Sequence, residues 1–354
     1  MAGADRPWDV WERLVPALLF SHAAAVLAAW LLGLLGLAHA SAAALFFWFA
    51  AAALGSTLAY HNLKVSAAGK VVVITGCESR IGYALAKRLD ELGFTIFAGF
   101  TNANDSVGQK LREEASGRLH LLQLDVTSEA DIRAAVALVR QKLPSPSAGV
   151  WAVINNASIA TFGEVEWVPF PVFQHATEVN LFSVVRITQA FLPLIRKTKG
   201  RVINVVSILG RVVSPLRSSY CAAKFGVEAF SDCLRLEMRR WGVDVVVVEP
   251  GDYTTGKVWI NDEKLLEQAK QMWRSMTEEA KADYGEDYFE RKIRSLEYYT
   301  KGPETDLEPV LKSLTDAVQR TFPLPRYTPV SRAERVQAFV AEHLPRSVYD
   351  LIYN

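Results

Sequence analysis

Residues 70–92 read KVVVITGCESRIGYALAKRLDEL, in which an apolar run is followed by a glycine turn and an amphipathic stretch. The β-branched run from Val71 to Ile74 predicts a buried strand, and the spacing of apolar residues after Gly82 predicts a helix. A helix that begins at such a turn offers unpaired backbone amides and the positive end of its dipole to an anion. The stretch therefore predicts the first βα unit of an α/β domain, with a phosphate site at the turn.

The same alternation of short apolar runs and amphipathic helical stretches continues to residue 249. It is typical of a doubly wound parallel sheet that is covered by helices on both faces. Ligands of such sheets bind at the carboxyl ends of the strands, so we expect functional side chains directly after each run. The predicted domain covers residues 67–255. Its six strands are predicted at Val71–Ile74, Phe94–Ala98, Leu119–Leu124, Val150–Asn155, Arg201–Val206 and Val243–Glu249.

The segment before this domain is apolar, because no Asp, Glu, Lys or Arg occurs between Arg13 and Lys64. A membrane span needs about 20 apolar residues, so two spans fit this run and one does not. The run predicts a membrane anchor over residues 1–66, a hairpin of transmembrane helices at about 14–38 and 42–60. It is too long, and its start too acidic, for a cleaved targeting peptide. The lipid bilayer is an expected partner, and the endoplasmic reticulum is favoured over the mitochondrial inner membrane.

Charge and cysteine content exclude several other functions. The chain of 354 residues carries 39 Lys and Arg against 38 Asp and Glu, so no global field favours binding of a nucleic acid. Its three cysteines, Cys77, Cys221 and Cys233, form no CxxC pair. This spacing predicts buried free thiols rather than a disulfide framework or a metal site.

A serine, a tyrosine and a lysine follow the fifth predicted strand. Tyr220 and Lys224 are four residues apart, which places them on one face of a helix. A phenol with a pKa of about 10 is a poor base near neutrality, whereas an adjacent ammonium favours the phenolate. Ser207, at the strand end, can hold a substrate oxygen beside that phenolate. Together the three residues are able to remove a hydroxyl proton from an alcohol, whereas a tyrosine and a lysine at this spacing alone are typical of an exposed helix pair.

Other motifs surround these three residues in a fixed order. They are Thr75–Gly82 at the first turn, Leu124–Val126, Asn155–Ser158, Asn180 and Glu249–Gly251. Together with the serine, tyrosine and lysine, they resemble the short-chain dehydrogenase/reductase superfamily. Residues 162–166, 209–211 and 224–235 are most similar to the mitochondrial-type D-β-hydroxybutyrate dehydrogenases and to related retinol and hydroxysteroid dehydrogenases.

The resemblance implies a Rossmann fold and an oxidoreductase that transfers a hydride between a nicotinamide dinucleotide and a secondary alcohol or ketone. It implies NAD, although Phe100, Thr101 and Asn102 stand where an acid would select NAD, so NADP stays open. The implied catalytic residues are Ser207, Tyr220, Lys224 and Asn180. The implied cofactor-binding residues are Gly76, Ser79, Arg80, Ile81, Gly82, Asp125, Val126, Asn156, Ala157, Tyr220, Lys224, Pro250 and Gly251.

Two residues depart from the family pattern. The first turn of the family reads TGxxxGxG, and Arg80 stands in place of its middle glycine. Asn155–Ser158 corresponds to the family's NNAG motif, and Ser158 stands in place of the glycine of that motif. A side chain at Arg80 changes how closely the backbone approaches a pyrophosphate, although its guanidinium could itself bind a phosphate. These departures keep a catalytically silent membrane scaffold of the same fold as an alternative.

The residues after the predicted domain leave the substrate open. Residues 256–330 are expected to hold the substrate lid and the last strand, and residues 331–354 an amphipathic tail that rests on the bilayer, on a second copy of the chain in a homo-oligomer, or on its own domain. An apolar lid face would suit a steroid or retinoid. A small hydroxy acid such as 3-hydroxybutyrate would instead need a cation for its carboxylate. The candidate cations are Arg211, Arg217, Lys257 and Arg274.

Overall fold

The computed structural model describes residues 7–37, 41–61, 63–251, 262–297 and 306–353. The chain divides into two compact units. The smaller unit contains residues 1–65 and 320–322, and the larger unit contains residues 66–319 and 323–354.

The smaller unit is built on two apolar helices, α1 (Pro7–Leu34) and α2 (Ala42–His61), which pack against each other. Leu14–Leu34 is long and apolar enough to cross a membrane, and Ala42–Thr57 is a shorter apolar stretch. The helix begins at Pro7, a residue favoured at the first helical position, and its apolar stretch starts at Leu14, where the predicted span starts. It ends at Leu34, before the predicted end at residue 38, because Gly36 follows with a positive φ of 64°. The predicted turn falls partly on residues 38–40, outside the described residues.

The larger unit contains a seven-stranded parallel sheet in the order β3-β2-β1-β4-β5-β6-β7. The doubly wound fold is confirmed, and each of the six predicted strands overlaps an observed one. The strands are β1 (Val71–Ile74), β2 (Thr95–Phe100), β3 (Leu119–Gln123), β4 (Ala152–Asn155), β5 (Arg201–Val205), β6 (Asp244–Val248) and β7 (Arg326–Tyr327).

Helices cover both faces of this sheet, and a set of them follows the sixth strand. The described helices of the larger unit are α3 (Arg80–Glu91), α4 (Ser106–Glu114), α5 (Glu129–Lys142), α6 (Phe170–Thr177), α7 (Ser183–Thr198), α8 (Ser218–Met238), α9 (Asp262–Ser275), α10 (Glu278–Tyr284), α11 (Glu286–Ser295), α12 (Glu308–Gln319), α13 (Arg332–His343) and α14 (Arg346–Tyr353). A π-helical turn, Glu178–Phe182, joins α6 to α7.

Alternate residues of each strand face opposite sides of the sheet and build two cores. From β1, Val72 and Ile74 pack in one core with α3 and α12, while Val71 and Val73 pack in the other with α5 and α7. Phe170–Thr198, which includes α7, is apolar enough to span a membrane, but half of it is buried within this unit. We therefore interpret it as a core helix.

The lid and the tail both pack on the larger unit. Met272 of α9 is buried in a cluster with Trp167 and Phe289, so the apolar lid face forms a core of its own. Ala338 of α13 packs against Val212, which places the tail on its own domain. One sequence prediction is wrong here, because Cys233 is exposed on α8 whereas Cys77 and Cys221 are buried thiols.

Candidate active site

A cavity of about 1560 Å³ opens at the carboxyl ends of the strands, where β1 and β4 lie side by side and the strand order reverses. Its polar lining comes from the segments that follow four strands and from α8. These lining residues include Gly76, Ser79, Asn156, Ser158, Ser207, Tyr220, Lys224, Pro250 and Gly251.

The turn after β1 is shaped for close approach of a ligand's phosphates. Gly76 has a φ of +69°, and a Cβ added there would lie 2.7 Å from Ala157 Cα, so only glycine fits. Asn156 Nδ2 donates to the Gly76 carbonyl at 2.9 Å, which ties this turn to the one after β4. Ser79 Oγ accepts from Gly82 N at 3.1 Å and caps α3. The N-terminus of α3 therefore meets a rigid turn, an arrangement that fits the pyrophosphate of a dinucleotide.

The predicted serine, tyrosine and lysine lie together in the cavity. The Tyr220 phenol hydrogen-bonds the hydroxyls of Ser207 and Ser158. Lys224 Nζ lies 5.4 Å from the centroid of the Tyr220 ring and donates to the Val205 carbonyl at 3.1 Å. The structure thus brings together the groups that deprotonation of an alcohol requires.

Burial opposes the charged forms of both the tyrosine and the lysine. Burial raises the pKa of Tyr220 above its ordinary value, against the lowering by its hydrogen bond with Ser158 and by the positive charge of Arg217. Burial also lowers the pKa of Lys224 to about 7, against the opposite effect of the Glu228 charge. The sequence predicted only the favourable effect of the lysine on the phenol, because the cost of burial depends on the tertiary fold.

Asn180 holds Ser158 in place through a hydrogen bond, and Ser158 in turn contacts Tyr220. Asn180 lies fully buried in the π-helical turn, and its Oδ1 accepts from Ser158 Oγ at 2.8 Å and from Ile159 N at 2.9 Å. Its Nδ2 donates to the Ile159 carbonyl at 2.9 Å. Ser158, which the sequence marked only as a departure from glycine, is thereby held in contact with Tyr220. The predicted part of Asn180 in a proton path stays a prediction.

Of the other predicted cofactor residues, some line the cavity and some do not. Asp125 Oδ1 accepts from the amide and hydroxyl of Thr127 at 2.8 and 2.7 Å, so this carboxylate stabilises the turn after β3. Ile81 lines the cavity, as does the Pro250 segment. Among the described lining residues, five of the predicted ones are not found: Arg80, Gly82, Asp125, Val126 and Ala157.

An acidic residue that the sequence analysis missed, Glu78, lies in the turn after β1 and contacts Thr101, the residue that follows β2. Thr101 Oγ1 donates to Glu78 Oε1 at 2.9 Å, and Glu78 lines the cavity. This hydrogen bond holds the Glu78 carboxylate beside the end of β2, where an acidic residue of the strand itself usually binds the ribose hydroxyls of NAD. The TGCES turn shows this acid, but its pairing with a residue 23 positions later is not visible in the sequence.

The four candidate cations for a substrate carboxylate are not equivalent. Arg217 lines the cavity. Arg211 is paired with Glu249 at 3.0 Å, and Arg274 is exposed and absent from the described lining. Lys257 lies outside the described residues. Among the described candidates, Arg217 is the one that lines the cavity, and its charge acts on the Tyr220 phenol.

Apolar side chains and the tail form the remaining walls of the cavity. Tyr349 of α14 is buried, and Arg346 on the same helix is paired with Asp350 at 2.9 Å. The apolar wall includes Phe162, Pro171, Val172, Val212, Phe225 and Met272, and the tail contributes Glu334, Gln337, Arg346, Tyr349 and Tyr353.

Comparison with known proteins agrees with this geometry. The family model for short chain dehydrogenase matches residues 70–264. The mitochondrial D-beta-hydroxybutyrate dehydrogenase of Rattus norvegicus is 42% identical over 296 residues, which cover 83% of this chain and 86% of that protein. The 17-beta-hydroxysteroid dehydrogenase type 2 of Homo sapiens is 36% identical over 284 residues, 79% of this chain and 72% of that protein.

A solved structure shares the fold. A short-chain dehydrogenase from Streptomyces avermitilis superposes with a TM-score of 0.62 at 21% identity, covering 80% of this chain and 95% of that one. At this identity the likeness concerns the fold alone.

Proposed function

This chain belongs to the short-chain dehydrogenase/reductase family, and we propose that it interconverts a short D-3-hydroxy acid and its 3-keto acid with NAD. Its general activity is that of an oxidoreductase that acts on CH–OH groups with a nicotinamide cofactor. The proposal adds the class of substrate, the choice of dinucleotide and the roles of the residues in the cavity.

The reaction needs one base and one group that orients the substrate oxygen. In the oxidation direction the Tyr220 phenolate accepts the hydroxyl proton, and Ser207 donates a hydrogen bond to the same substrate oxygen. The Lys224 ammonium favours the phenolate through its charge. Bound NAD supplies the hydride acceptor. Gly76, Ser79 and Asn156 are the residues that fit its phosphates and ribose.

The position of Arg217 is the observation that supports a hydroxy acid as the substrate. It precedes Tyr220 by three residues and lines the cavity, and its charge acts on the phenol. A guanidinium at this place can bind a carboxylate through two parallel hydrogen bonds while the hydroxyl two carbons away meets Tyr220. The rat relative that is 42% identical carries D-beta-hydroxybutyrate in its name, which agrees with such a substrate.

A second candidate function is oxidation of a lipophilic secondary alcohol, such as a hydroxysteroid or retinoid. The apolar wall around Phe162, Val212 and Met272 favours it, because the cavity is far larger than a four-carbon acid requires. The N-terminal apolar helix would place such an enzyme at the membrane that dissolves these substrates.

We also propose NAD rather than NADP, and the endoplasmic reticulum rather than the mitochondrial inner membrane. The Glu78 carboxylate can accept hydrogen bonds from ribose hydroxyls and would repel a 2′-phosphate. The proposed location rests on the uncharged run before Lys64 and on an acidic start unlike a mitochondrial transit peptide.

A substrate panel on the purified full-length chain in detergent tests the proposal. D- and L-3-hydroxybutyrate, longer 3-hydroxy acids, estradiol and retinol are each assayed with NAD and NADP. We expect turnover of the D-3-hydroxy acids with NAD, and Tyr220→Phe should lower kcat by about 100-fold or more. Arg217→Met should raise KM for the acids roughly 10- to 100-fold, since a hydrogen bond to a charged group contributes about 1.5–3 kcal/mol.

The matched control is Arg274→Met, which removes an exposed arginine of the lid and should leave KM unchanged. Turnover of lipophilic alcohols alone, with no effect of Arg217→Met, would reject the hydroxy acid and favour the second candidate. Absence of turnover with every substrate would favour the silent scaffold.

A further inference from the structure

Next to Lys224 lies a cluster of buried ionisable groups. Lys224 is 2% exposed, and Glu228, one helical turn further along α8, is 8% exposed. Glu249, at the end of β6, is fully buried. Charged groups remain inside a protein only when partners compensate the cost of removing them from water, so the partners of these side chains determine their charges.

Two arginines hold the carboxyl groups. Arg326 of β7 bridges them, with Nη2 2.9 Å from Glu228 Oε2 and Nη1 3.0 Å from Glu249 Oε1. Arg211 Nη1 lies 3.0 Å from Glu249 Oε2, which also accepts from Thr328 Oγ1 at 2.9 Å.

The two carboxyl groups also face each other. Glu228 Oε1 is buried and receives no hydrogen bond from a donor of the described residues, while its carboxyl group lies within hydrogen-bonding reach of Glu249. Two carboxylates are both acceptors, so such a contact is satisfied only when one of them carries a proton. Burial, followed by the Glu249 charge, raises the pKa of Glu228 to about 8, in agreement with a proton held at this place.

Glu228 is also the group whose charge supports the lysine. It lies four residues after Lys224 on the same face of α8, and its negative charge opposes the lowering of the Lys224 pKa by burial. The other titratable or charged groups around the two residues are Tyr220 and Asp232 on α8, Glu249 after β6, Arg326 on β7, Arg211 after β5, and Glu342 of α13, which pairs with Arg211.

We propose that Glu228 and Glu249 form a carboxyl pair that shares one proton, and that Glu228 is a positioning residue which sets the charge of Lys224. The proposal rests on the proposed reaction, because only there does the ammonium favour the Tyr220 phenolate. When the pair loses its proton, Glu228 becomes fully negative and stabilises the ammonium. When Glu228 is neutral, Lys224 loses its proton more easily and the phenolate loses its support.

Two variants with opposite expected effects test this proposal. Glu228→Gln removes the negative charge but keeps an oxygen for Arg326, so the alkaline limb of kcat against pH should move down by about one unit. Glu249→Gln removes the neighbour that competes for the proton, so Glu228 ionises more readily and the same limb should move up. The control Glu237→Gln removes an exposed carboxylate further along α8 and should leave the profile unchanged.

A second measurement does not depend on turnover. The rate at which acetic anhydride acylates Lys224 in the full-length chain, followed by mass spectrometry from pH 5 to 10, gives the pKa of that amine directly. The same opposite shifts should appear there even if no substrate is found, which separates failure of this proposal from failure of the proposed function. NADH binding, followed by fluorescence, reports whether each variant is folded.

Opposite shifts in the two variants support the proposal. Shifts in the same direction, or no shift in either, overturn it, because a purely structural role of the pair would not change sign. If Glu228→Gln does not bind NADH, the sign of the Glu249→Gln shift alone decides: an upward shift supports the shared proton, and any other result rejects it.

Discussion

At the scale of single residues, Glu78 is the side chain that we propose selects NAD over NADP. Its carboxylate is fixed by Thr101 at the end of β2 and faces the cavity. Glu78→Gln removes the charge that would repel a 2′-phosphate and keeps an oxygen for Thr101. We expect the ratio of kcat/KM with NAD to that with NADP to fall roughly tenfold, which corresponds to about 1.4 kcal/mol.

The matched control for this prediction is Glu91→Gln, which removes an exposed carboxylate at the far end of α3, the helix that follows Glu78. It should leave the ratio unchanged. A Glu78→Gln enzyme with the cofactor preference of the wild type would show that another group selects the dinucleotide.

Single residues also show which parts of the site the sequence can predict. Ser207, Tyr220 and Lys224 were predictable because local geometry fixes them: two share a helix face and the third ends a strand. Ser158 and Glu78 were not, since each acts through a hydrogen bond to a residue more than twenty positions away. Neither was the burial that shifts the pKa values of Tyr220 and Lys224, because burial depends on every element packed around them.

At the scale of elements, the C-terminal helix α14 closes one side of the cavity. Tyr349 is 3% exposed, lines the cavity and accepts a hydrogen bond from Gln337 Nε2 at 3.0 Å. Deleting residues 346–354 should open this wall and raise KM several-fold for the preferred substrate. Thermal unfolding should change little, because α14 contributes no residue to the two cores on the faces of the sheet.

A control for this deletion is Leu351→Ser, which alters a side chain of the same helix that is 85% exposed. It should leave KM unchanged. A deletion variant with wild-type KM would mean that the tail covers the cavity without contacting the substrate.

Elements with strong periodicity were predictable, and their docking was not. The continuous apolar runs predicted six strands, because strands of a parallel sheet that are covered on both faces carry such runs. The amphipathic pattern of the tail suited a bilayer, a second subunit or its own domain equally. The packing of Ala338 in a cluster with Val212 and the pairing of Glu342 with Arg211 place it on its own domain. The first helix ends at Leu34, before the predicted end at residue 38, because Gly36 follows with a positive φ.

At the scale of the whole molecule, the chain combines an apolar helical unit with a complete dinucleotide-binding unit. The change in composition near Lys64 predicted two parts, and two compact units are found. The smaller unit includes residues 320–322, which no local pattern indicates. Their inclusion follows from backbone contacts. Thr321 N donates to the Leu63 carbonyl at 2.9 Å, and the backbones of Lys64 and Arg320 form an antiparallel β-bridge.

The two-unit architecture predicts that membrane association and dinucleotide binding can be separated. A chain that lacks residues 1–61 keeps Leu63 and Lys64 for their contacts with residues 320–321 and loses both apolar helices. We expect it to stay in the supernatant after ultracentrifugation without detergent and to quench NADH fluorescence with the Kd of the full chain, because the cavity is lined only by residues from Gly76 onwards among those described. The full chain should sediment with membranes and resist extraction by alkaline carbonate.

A truncated chain that still sediments, although it is folded and binds NADH, would place membrane binding in the larger unit. The exposed side chains of Phe339 and Leu351 would then be the first to replace.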